Sequence, residues 1–481
     1  MNQTTTLYQD SIQDNGEFCN IAIIGAGYVG LVTGTCLASL GHTVYCVDSD
    51  EEKIKNLQLG SIHIHEPNLS ALIIEQIKLN RLIFTNNLKM AVKHAIAIFI
   101  AVGTPQSKSG KADLSFVETA ISEIATLLKP DDYKLIIIKS TVPVGTCRNM
   151  QNLILQINPK ACFEVASNPE FLREGSAVFD FMCPERIVIG INQDKPSKEF
   201  AKSYTVLRKI YEKFIDQNIP VLFNDLESSE LIKYAANCFL AVKITFINEL
   251  ADLCETLNTK LDANVDILKV AHAMGLDSRI GEKFLQPGPG FGGSCFPKDT
   301  LALDYYATQY GTSLSILNAA IRANQDRIKN LSAKIINICK STQIGTIANK
   351  VIAVLGIAFK ANTDDIRDSV ATTVINDLHA NGAILQVYDP EAMPNGKQLF
   401  KDLKNIVWSD SLYTAINNAE IIVILTEWLE FFDLNFTKIK NLMNKQHPII
   451  IDFRNLFDLD VAKTAGINYY PVGRKKVKYS E

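Results

Sequence analysis

Two hydrophobic patterns alternate along this chain. Short, almost continuously apolar runs occur at Asn20–Ile24, Thr43–Val47, Ala95–Val102 and Tyr133–Lys139, and a second series falls at 350–360, 383–390, 420–426 and 448–452. Runs of that length, apolar on both faces, predict buried strands of parallel sheets, with the intervening helical stretches as crossovers. From Leu226 to Thr256 the pattern is instead helical with few interruptions. At ~1.5 Å per residue this is a rod more than about 40 Å long, suited to linking two domains or packing against its copy in a dimer. Helical segments then continue to about Lys340. The pattern therefore predicts three α/β and helical parts, over 19–222, 223–335 and 336–472. A polar leader, 1–18, and a basic tail, 473–481, flank them, and both are expected to be disordered.

Composition narrows the class. The chain has 481 residues, too many for one core, with 47% hydrophobic and 21% charged residues, as in an ordinary soluble globular protein. A net charge of -4 and a pI near 6.0 leave no electrostatic footprint for nucleic acid. No apolar run reaches the ~20 residues that span a bilayer. The leader lacks a basic and an apolar region, which argues against a signal peptide. Ten cysteines without a CxxC spacing read as reduced thiols of a cytoplasmic protein, most of them, such as Cys36, Cys46 and Cys238, in apolar runs.

The first strand runs into Gly25–Ala26–Gly27–Tyr28–Val29–Gly30, then a helix from Leu31, then a strand ending in Asp48. This is the context in which a GxGxxG turn binds a dinucleotide: Gly25, Gly27 and Gly30 let a pyrophosphate approach a helix N-terminus, and Asp48 accepts hydrogen bonds from a ribose. Because Asp48 would repel a 2′-phosphate, the cofactor read from the turn is NAD. The N-terminal domain is thus Rossmann-type, and the second strand series makes a Rossmann-like C-terminal domain without the full glycine motif. Lys53 is either a solvated lysine or a second adenosine contact. Thr104 and Thr141 end two later strands, where they either face the cofactor or cap helices. In Ser167–Asn168–Pro169–Glu170–Phe171–Leu172–Arg173–Glu174–Gly175, helical spacing would put Glu170 and Glu174 on one face. Lys233 and Asn237 share an otherwise apolar helical face, which suits a ligand or a buried partner.

The densest signal is Pro287–Gly288–Pro289–Gly290–Phe291–Gly292–Gly293–Ser294–Cys295–Phe296–Pro297–Lys298–Asp299. Cys295 enters a helix there with Lys298 close by, so its thiol is expected in positive potential and reads as a nucleophile or, alternatively, as a buried structural cysteine.

Taken together in this order, these motifs resemble the nucleotide-diphosphate-sugar dehydrogenases from Asn20 to about Val472, with Gly356–Ile357–Ala358–Phe359–Lys360 and 362–367 as further matching stretches. The resemblance implies Cys295 as nucleophile, with Lys233, Asn237 and Asp299 around it, Glu170 near a hydrolysis step and Thr141 near the reacting centre. It implies Val29, Asp48, Lys53, Thr104, Thr141, Glu174, Lys298 and Arg367 for NAD. For the sugar nucleotide it implies Phe171, Leu172, Lys233, Asn237, Phe284, Leu285, Gln286, Pro287, Gly288, Gly292 and Lys360. It also implies a homodimer in which Arg279 reaches the neighbour's substrate site. No metal is implied, and the pair His63 and His65 departs from the family pattern without other ligands nearby.

The implied reaction takes a primary alcohol to an acid, so NAD must act twice. Lys233, or a water held by Asp299, would manage the alcohol proton. Cys295 would add to the aldehyde, Lys233 and Asn237 would stabilise the oxyanion, and Glu170 would activate water against the resulting thioester. The run 284–288 and the stretch 168–175 resemble the members that oxidise UDP-glucose more than those acting on GDP-mannose or an N-acetylated UDP-hexosamine. A non-catalytic dinucleotide sensor is the alternative of another class, and the joint presence of Cys295, Lys233, Asn237 and Asp299 argues against it.

Overall fold

The computed structural model of this chain describes residues 18–107, 110–192 and 197–479, with the backbone alone described over 197–201. The leader as far as residue 17 lies outside the described residues. The chain forms two compact units, Met1–Ala235 and Ala236–Glu481, whose boundary falls inside the helix Leu226–Lys260.

The strands of the first unit are β1 (Asn20–Ile24), β2 (Thr43–Val47), β3 (Leu82–Thr85), β4 (Ala97–Ile100), β5 (Lys134–Ile138), β6 (Phe163–Ser167), β7 (Ile187–Ile191) and β8 (Val221–Asn224). They form one sheet in the order β3-β2-β1-β4-β5-β6-β7-β8, parallel throughout except between β6 and β7. The chain moves outward from β1 to β3 and returns to β4 on the other side of β1. That reversal opens a crevice at the carboxyl ends of β1 and β4, where the Gly25–Gly30 turn leaves β1. The near-continuous apolar runs are explained by burial on both faces. Ile21, Ile23 and Phe99 join one core cluster, while Ala22, Ile98 and Ile100 join another, all six fully sealed.

The strands of the second unit are β9 (Val351–Leu355), β10 (Ile384–Tyr388), β11 (Ile406–Trp408), β12 (Ile421–Ile424), β13 (Ile449–Asp452) and β14 (Asn468–Pro471). Their order is β11-β10-β9-β12-β13-β14, all parallel. Ile247, Ala251 and Cys254 of the long helix and Leu331, Ile335 and Cys339 of the helix Ser315–Lys340 belong to the same core as this sheet. The unit repeats the first turn of the N-terminal domain in altered form. The Gly356 N–H donates to Tyr388 O as the Gly25 N–H donates to Val47 O, each at 2.8 Å. Asp389 takes the place of Asp48, but it is buried and its two oxygens already accept from Ile357, Ala358, Glu391, Ala392 and the Trp428 indole.

Two expectations need correction. The described part of the tail is held in place: Arg474 is buried, donates to Phe457 O at 2.9 Å and pairs with Asp266 at 3.2 Å, and Val477 pairs with Tyr469 of β14. Its positive charge is met by Asp266 and, at Lys475, by Asp262, which lie more than two hundred positions away in sequence. The stretch 168–176 is extended and turn-like rather than helical, and the next helix begins only at Ala177. A buried Pro169–Glu170 step held by tertiary contacts overrides the helical spacing of Glu170 and Glu174.

Candidate active site

The glycine turn is built as its sequence requires. Gly25 sits at φ +99, and a Cβ there would lie 2.8 Å from Ala101 O, so any side chain would be both strained and blocked. The Ala26 N–H donates to Asp48 Oδ2 at 2.9 Å, and Lys53 Nζ lies 3.1 Å from the same oxygen. The Asp50 N–H donates to Oδ1. Burial opposes the charge on Asp48, but these N–H groups and the Lys53 ammonium outweigh it and hold the carboxyl below its usual range. A Cβ on Gly27 would meet nothing within 4 Å. That space lies over the N-terminus of the helix Tyr28–Ser39, and with the ionised Asp48 it fits a dinucleotide's pyrophosphate and ribose.

Beside it the ends of β4 and β5 are tied together. Thr104 Oγ1 donates to Thr141 O at 2.9 Å, and Ser140 Oγ donates to Val102 O at 2.6 Å. Neither threonine caps a helix. The helix Thr146–Ile157 starts after Gly145, and its N-terminal N–H groups at Gly145 and Cys147 are taken by the buried Glu230 carboxylate at 2.6 and 2.7 Å.

Glu170 and Lys233 form a buried ion pair, with Nζ 2.9 Å from Oε1, and the Leu172 N–H donates to Oε2 at 2.6 Å. Burial alone would raise the carboxyl, but the Lys233 ammonium, with this N–H and the nearby Lys139, holds it below its usual range. Phe171 underlies the pair: its ring centroid is 5.4 Å from Lys233 Nζ and 4.2 Å from the Arg186 guanidinium. Lys139 was not singled out from sequence because it ends an apolar strand. Its ammonium is fully buried and donates to Asn168 Oδ1 at 3.1 Å and O at 3.4 Å, and burial pulls its pKa down to about 8. Asn168 is a hub, also accepting from Tyr211 Oη at 2.6 Å and donating to Val188 O at 2.8 Å.

In the second unit Cys295 is the N-cap of the helix Phe296–Gln309, with Pro297 in its first turn, and Ser294 Oγ is 3.7 Å from its sulfur. The Asn237 amide donates to Asp299 Oδ2 at 2.6 Å, and Lys298 Nζ lies 2.5 Å from Oδ1. Lys298 therefore meets the fully buried Asp299 before it can act on the thiol as a free cation. The preceding loop is fixed through its backbone. Asn324 accepts from the Phe291 N–H at 2.8 Å and donates to Phe291 O at 3.0 Å, while Asn248 accepts from the Gly288 N–H and Arg327 donates to Gly288 O, each at 2.8 Å. Gly292 passes so close to the 368–369 backbone that a Cβ would lie 2.1 Å from Asp368 O.

Phe284 is held at φ +67 and stacks edge-on against Phe296 at 6.1 Å, while Leu285, Pro287 and Gly288 are buried and Gln286 is exposed. Lys360 Nζ lies 5.7 Å from the Phe359 ring. Arg279 and Arg367 are exposed and each grips a near neighbour, Asp277 and Asp365, at 2.6 Å. Sequence reading missed Arg454, which donates to Leu425 O and Phe359 O and would stand 3.4 Å from a Cβ on Gly288. An Asp–Phe–Arg–Asn step at the end of β13 was the available signal. Among the described residues no group of three or more His, Cys, Asp or Glu could hold a metal ion, and no helix is long and apolar enough to cross a membrane.

Comparison with known proteins identifies the family. Models of the UDP-glucose/GDP-mannose dehydrogenase family match at 19–215 (NAD binding domain), 227–326 (central domain) and 353–459 (UDP binding domain). The chain is 45% identical over 457 residues to the UDP-glucose 6-dehydrogenase of Rickettsia felis, covering 95% of this chain and 96% of that protein. It is 42% identical over 462 residues to the UDP-glucose 6-dehydrogenase TuaD of Bacillus subtilis, covering 96% and 94%. Among solved structures, a UDP-glucose dehydrogenase from Pyrobaculum islandicum is 33% identical with a TM-score of 0.83, covering 96% of this chain and 99% of that one. A dinucleotide turn, a sealed Lys233–Glu170 pair and a cysteine at a helix N-terminus thus occur in a chain matched along almost its whole length, and it belongs to the UDP-glucose/GDP-mannose dehydrogenase family.

Proposed function

We propose that this enzyme oxidises the primary alcohol of UDP-glucose to the carboxylate of UDP-glucuronate, using two NAD and one water per acid formed. The observation that carries this reading is the 42–45% identity, along about 95% of the chain, to proteins named UDP-glucose 6-dehydrogenase. Gly25, Gly27, Val29, Gly30, Asp48, Lys53, Thr104, Thr141, Glu174, Lys298 and Arg367 are the residues assigned to NAD. When bound, NAD accepts a hydride in each of the two oxidations. Phe171, Leu172, Phe284 to Gly288, Gly292 and Lys360 are assigned to the sugar nucleotide, with Arg454, itself paired with Glu427 at 2.9 Å, standing beside Gly288.

Within this reading the chain's own groups divide the work. A water on Asp299, or Lys233 only in its neutral amine form, receives the alcohol proton in the first oxidation, and as an ammonium Lys233 instead donates a hydrogen bond to the developing alkoxide. The Cys295 thiolate then adds to the aldehyde carbon, forming the C–S bond of a thiohemiacetal whose oxyanion accepts hydrogen bonds from Lys233 and the Asn237 amide. After the second oxidation the thioester is cleaved by water, its C–S bond breaking and Cys295 leaving as thiolate. Glu170, kept ionised, removes the water's proton.

The same reading includes a homodimer and a cytoplasmic location. Leu231, Phe239, Phe246 and Leu253 are exposed along the long helix at spacings of seven or eight residues, a stripe suited to a copy of itself. Light scattering at assay concentration should report twice the 53.3 kDa chain mass or more. The function itself is tested by NADH yield from the purified protein with UDP-glucose, GDP-mannose and UDP-N-acetylhexosamines. Two NADH per acid with UDP-glucose alone supports it, whereas preference for another sugar nucleotide, or one NADH with released aldehyde, overturns it.

A further inference from the structure

One buried carboxylate joins the dinucleotide turn to the loop that carries Glu170, and the assignments above leave it without a role. Glu66 is 5% exposed. Its Oε2 accepts from the Tyr28 hydroxyl and from the Gly175 N–H at 2.7 Å, and its Oε1 accepts from the Val178 N–H at 3.3 Å. The Gly175 N–H is also 2.9 Å from Tyr28 Oη. Tyr28 is the first residue of the helix Tyr28–Ser39, inside the Gly25–Gly30 turn and next to the open space at Gly27. Gly175, at φ +77, closes the stretch 168–176 that bears Glu170, Phe171, Leu172 and Glu174.

A buried charged group of this kind is costly, and well-packed apolar side chains would join the same elements at lower cost. What the polar junction supplies is direction. Its donors and acceptors meet at one position of the turn relative to the loop, so ordering either side orders the other. Burial and the Glu66 carboxylate both push the Tyr28 phenol far above its usual pKa, so it stays a donor at every working pH.

We infer that Tyr28 and Glu66 are positioning residues that couple dinucleotide binding at the Gly25–Gly30 turn to sugar-nucleotide binding at the loop 168–176. The inference rests on the functional reading above. By thermodynamic reciprocity, NADH and UDP-glucose then each tighten the other's binding by the same factor, about 5-fold or more.

The test needs no turnover. NADH affinity is measured by nicotinamide fluorescence, without and with saturating UDP-glucose, and UDP-glucose affinity is measured by calorimetry without dinucleotide. Tyr28→Phe and Glu66→Gln should reduce the coupling factor at least threefold, while UDP-glucose affinity in the absence of dinucleotide stays within twofold of wild type. Should Glu66→Gln fail to fold, Tyr28→Phe, which keeps the ring and loses one hydroxyl, decides the matter. A lower melting temperature with an unchanged coupling factor would make the junction a staple only and overturn the inference, as would a wild-type coupling factor of one. Wild-type protein that binds neither ligand would overturn the functional reading, and this inference with it.

Discussion

Lys233 Nζ lies 2.9 Å from Glu170 Oε1, and both side chains are sealed from solvent. Removing one member of such a pair leaves an uncompensated charge in a low-dielectric interior, whereas removing both removes the problem. Lys233→Met should therefore destabilise the protein by roughly 3–5 kcal/mol, and the double variant Lys233→Met/Glu170→Gln by clearly less. Differential scanning calorimetry of wild type, Lys233→Met, Glu170→Gln and the double variant gives the coupling. Equal losses in the single and double variants would show that the pair's charge is not what matters.

The same carboxyl makes a pH prediction. Its folded pKa is depressed, so its contribution to stability is complete above the ordinary glutamate range and fades as pH falls through the folded value. Glu170→Gln should narrow the acid limb of the wild-type stability profile. The melting-temperature difference between wild type and variant should stay constant from pH 7 down to about pH 5 and shrink only as pH falls below the ordinary glutamate range.

Lys139 acts in the opposite pH range. Its pKa falls from 10.5 to about 8 because burial disfavours the ammonium, so between those values the unfolded chain binds more protons than the folded one. Wild-type stability should therefore rise relative to Lys139→Met as pH goes from 7.5 to 9.5, by on the order of 1 kcal/mol per pH unit. A difference that is flat across this interval would place the wild-type amine outside it.

Asp48 should decide between dinucleotides. Its carboxylate is ionised and directed by Ala26 and Asp50 N–H groups, so a 2′-phosphate would meet a fixed negative charge. Wild type should strongly prefer NAD, and Asp48→Asn should lower the ratio of kcat/KM for NAD over NADP by about 10-fold or more, a change of roughly 1.4 kcal/mol. Equal use of both by wild type would refute the assignment.

Cys295→Ser should bind both ligands yet stall, because a hydroxyl is a weaker nucleophile and a poorer leaving group than a thiol. Steady-state NADH production should fall by several powers of ten, roughly 4 kcal/mol or more. Wild-type turnover to the acid in this variant would return Cys295 to a structural role.

The sequence by itself determined the layout. Continuous apolar runs can be satisfied only by burial on both faces, which made β1, β2, β4, β5, β9, β10, β12 and β13 legible. The glycine turn was legible because Gly25 needs a positive φ and a bare Cα against Ala101. β3, β6, β8, β11 and β14 were not, being interrupted by polar or charged residues such as Glu164 and Asn224 or only partly buried, whereas β7, apolar and buried along its whole length, carries the same signal as β1. Residue types at the site were equally readable, but their partners were not. Lys298 could be placed near Cys295 by spacing, yet Asp299 captures its ammonium. Lys139 looked like the end of a strand, and Arg474 like part of a solvated tail. In each case the deciding contact is made by chain distant in sequence, or by which of two neighbouring side chains turns inward. Only tertiary packing sets that, through the desolvation that makes a buried charge find its counter-charge.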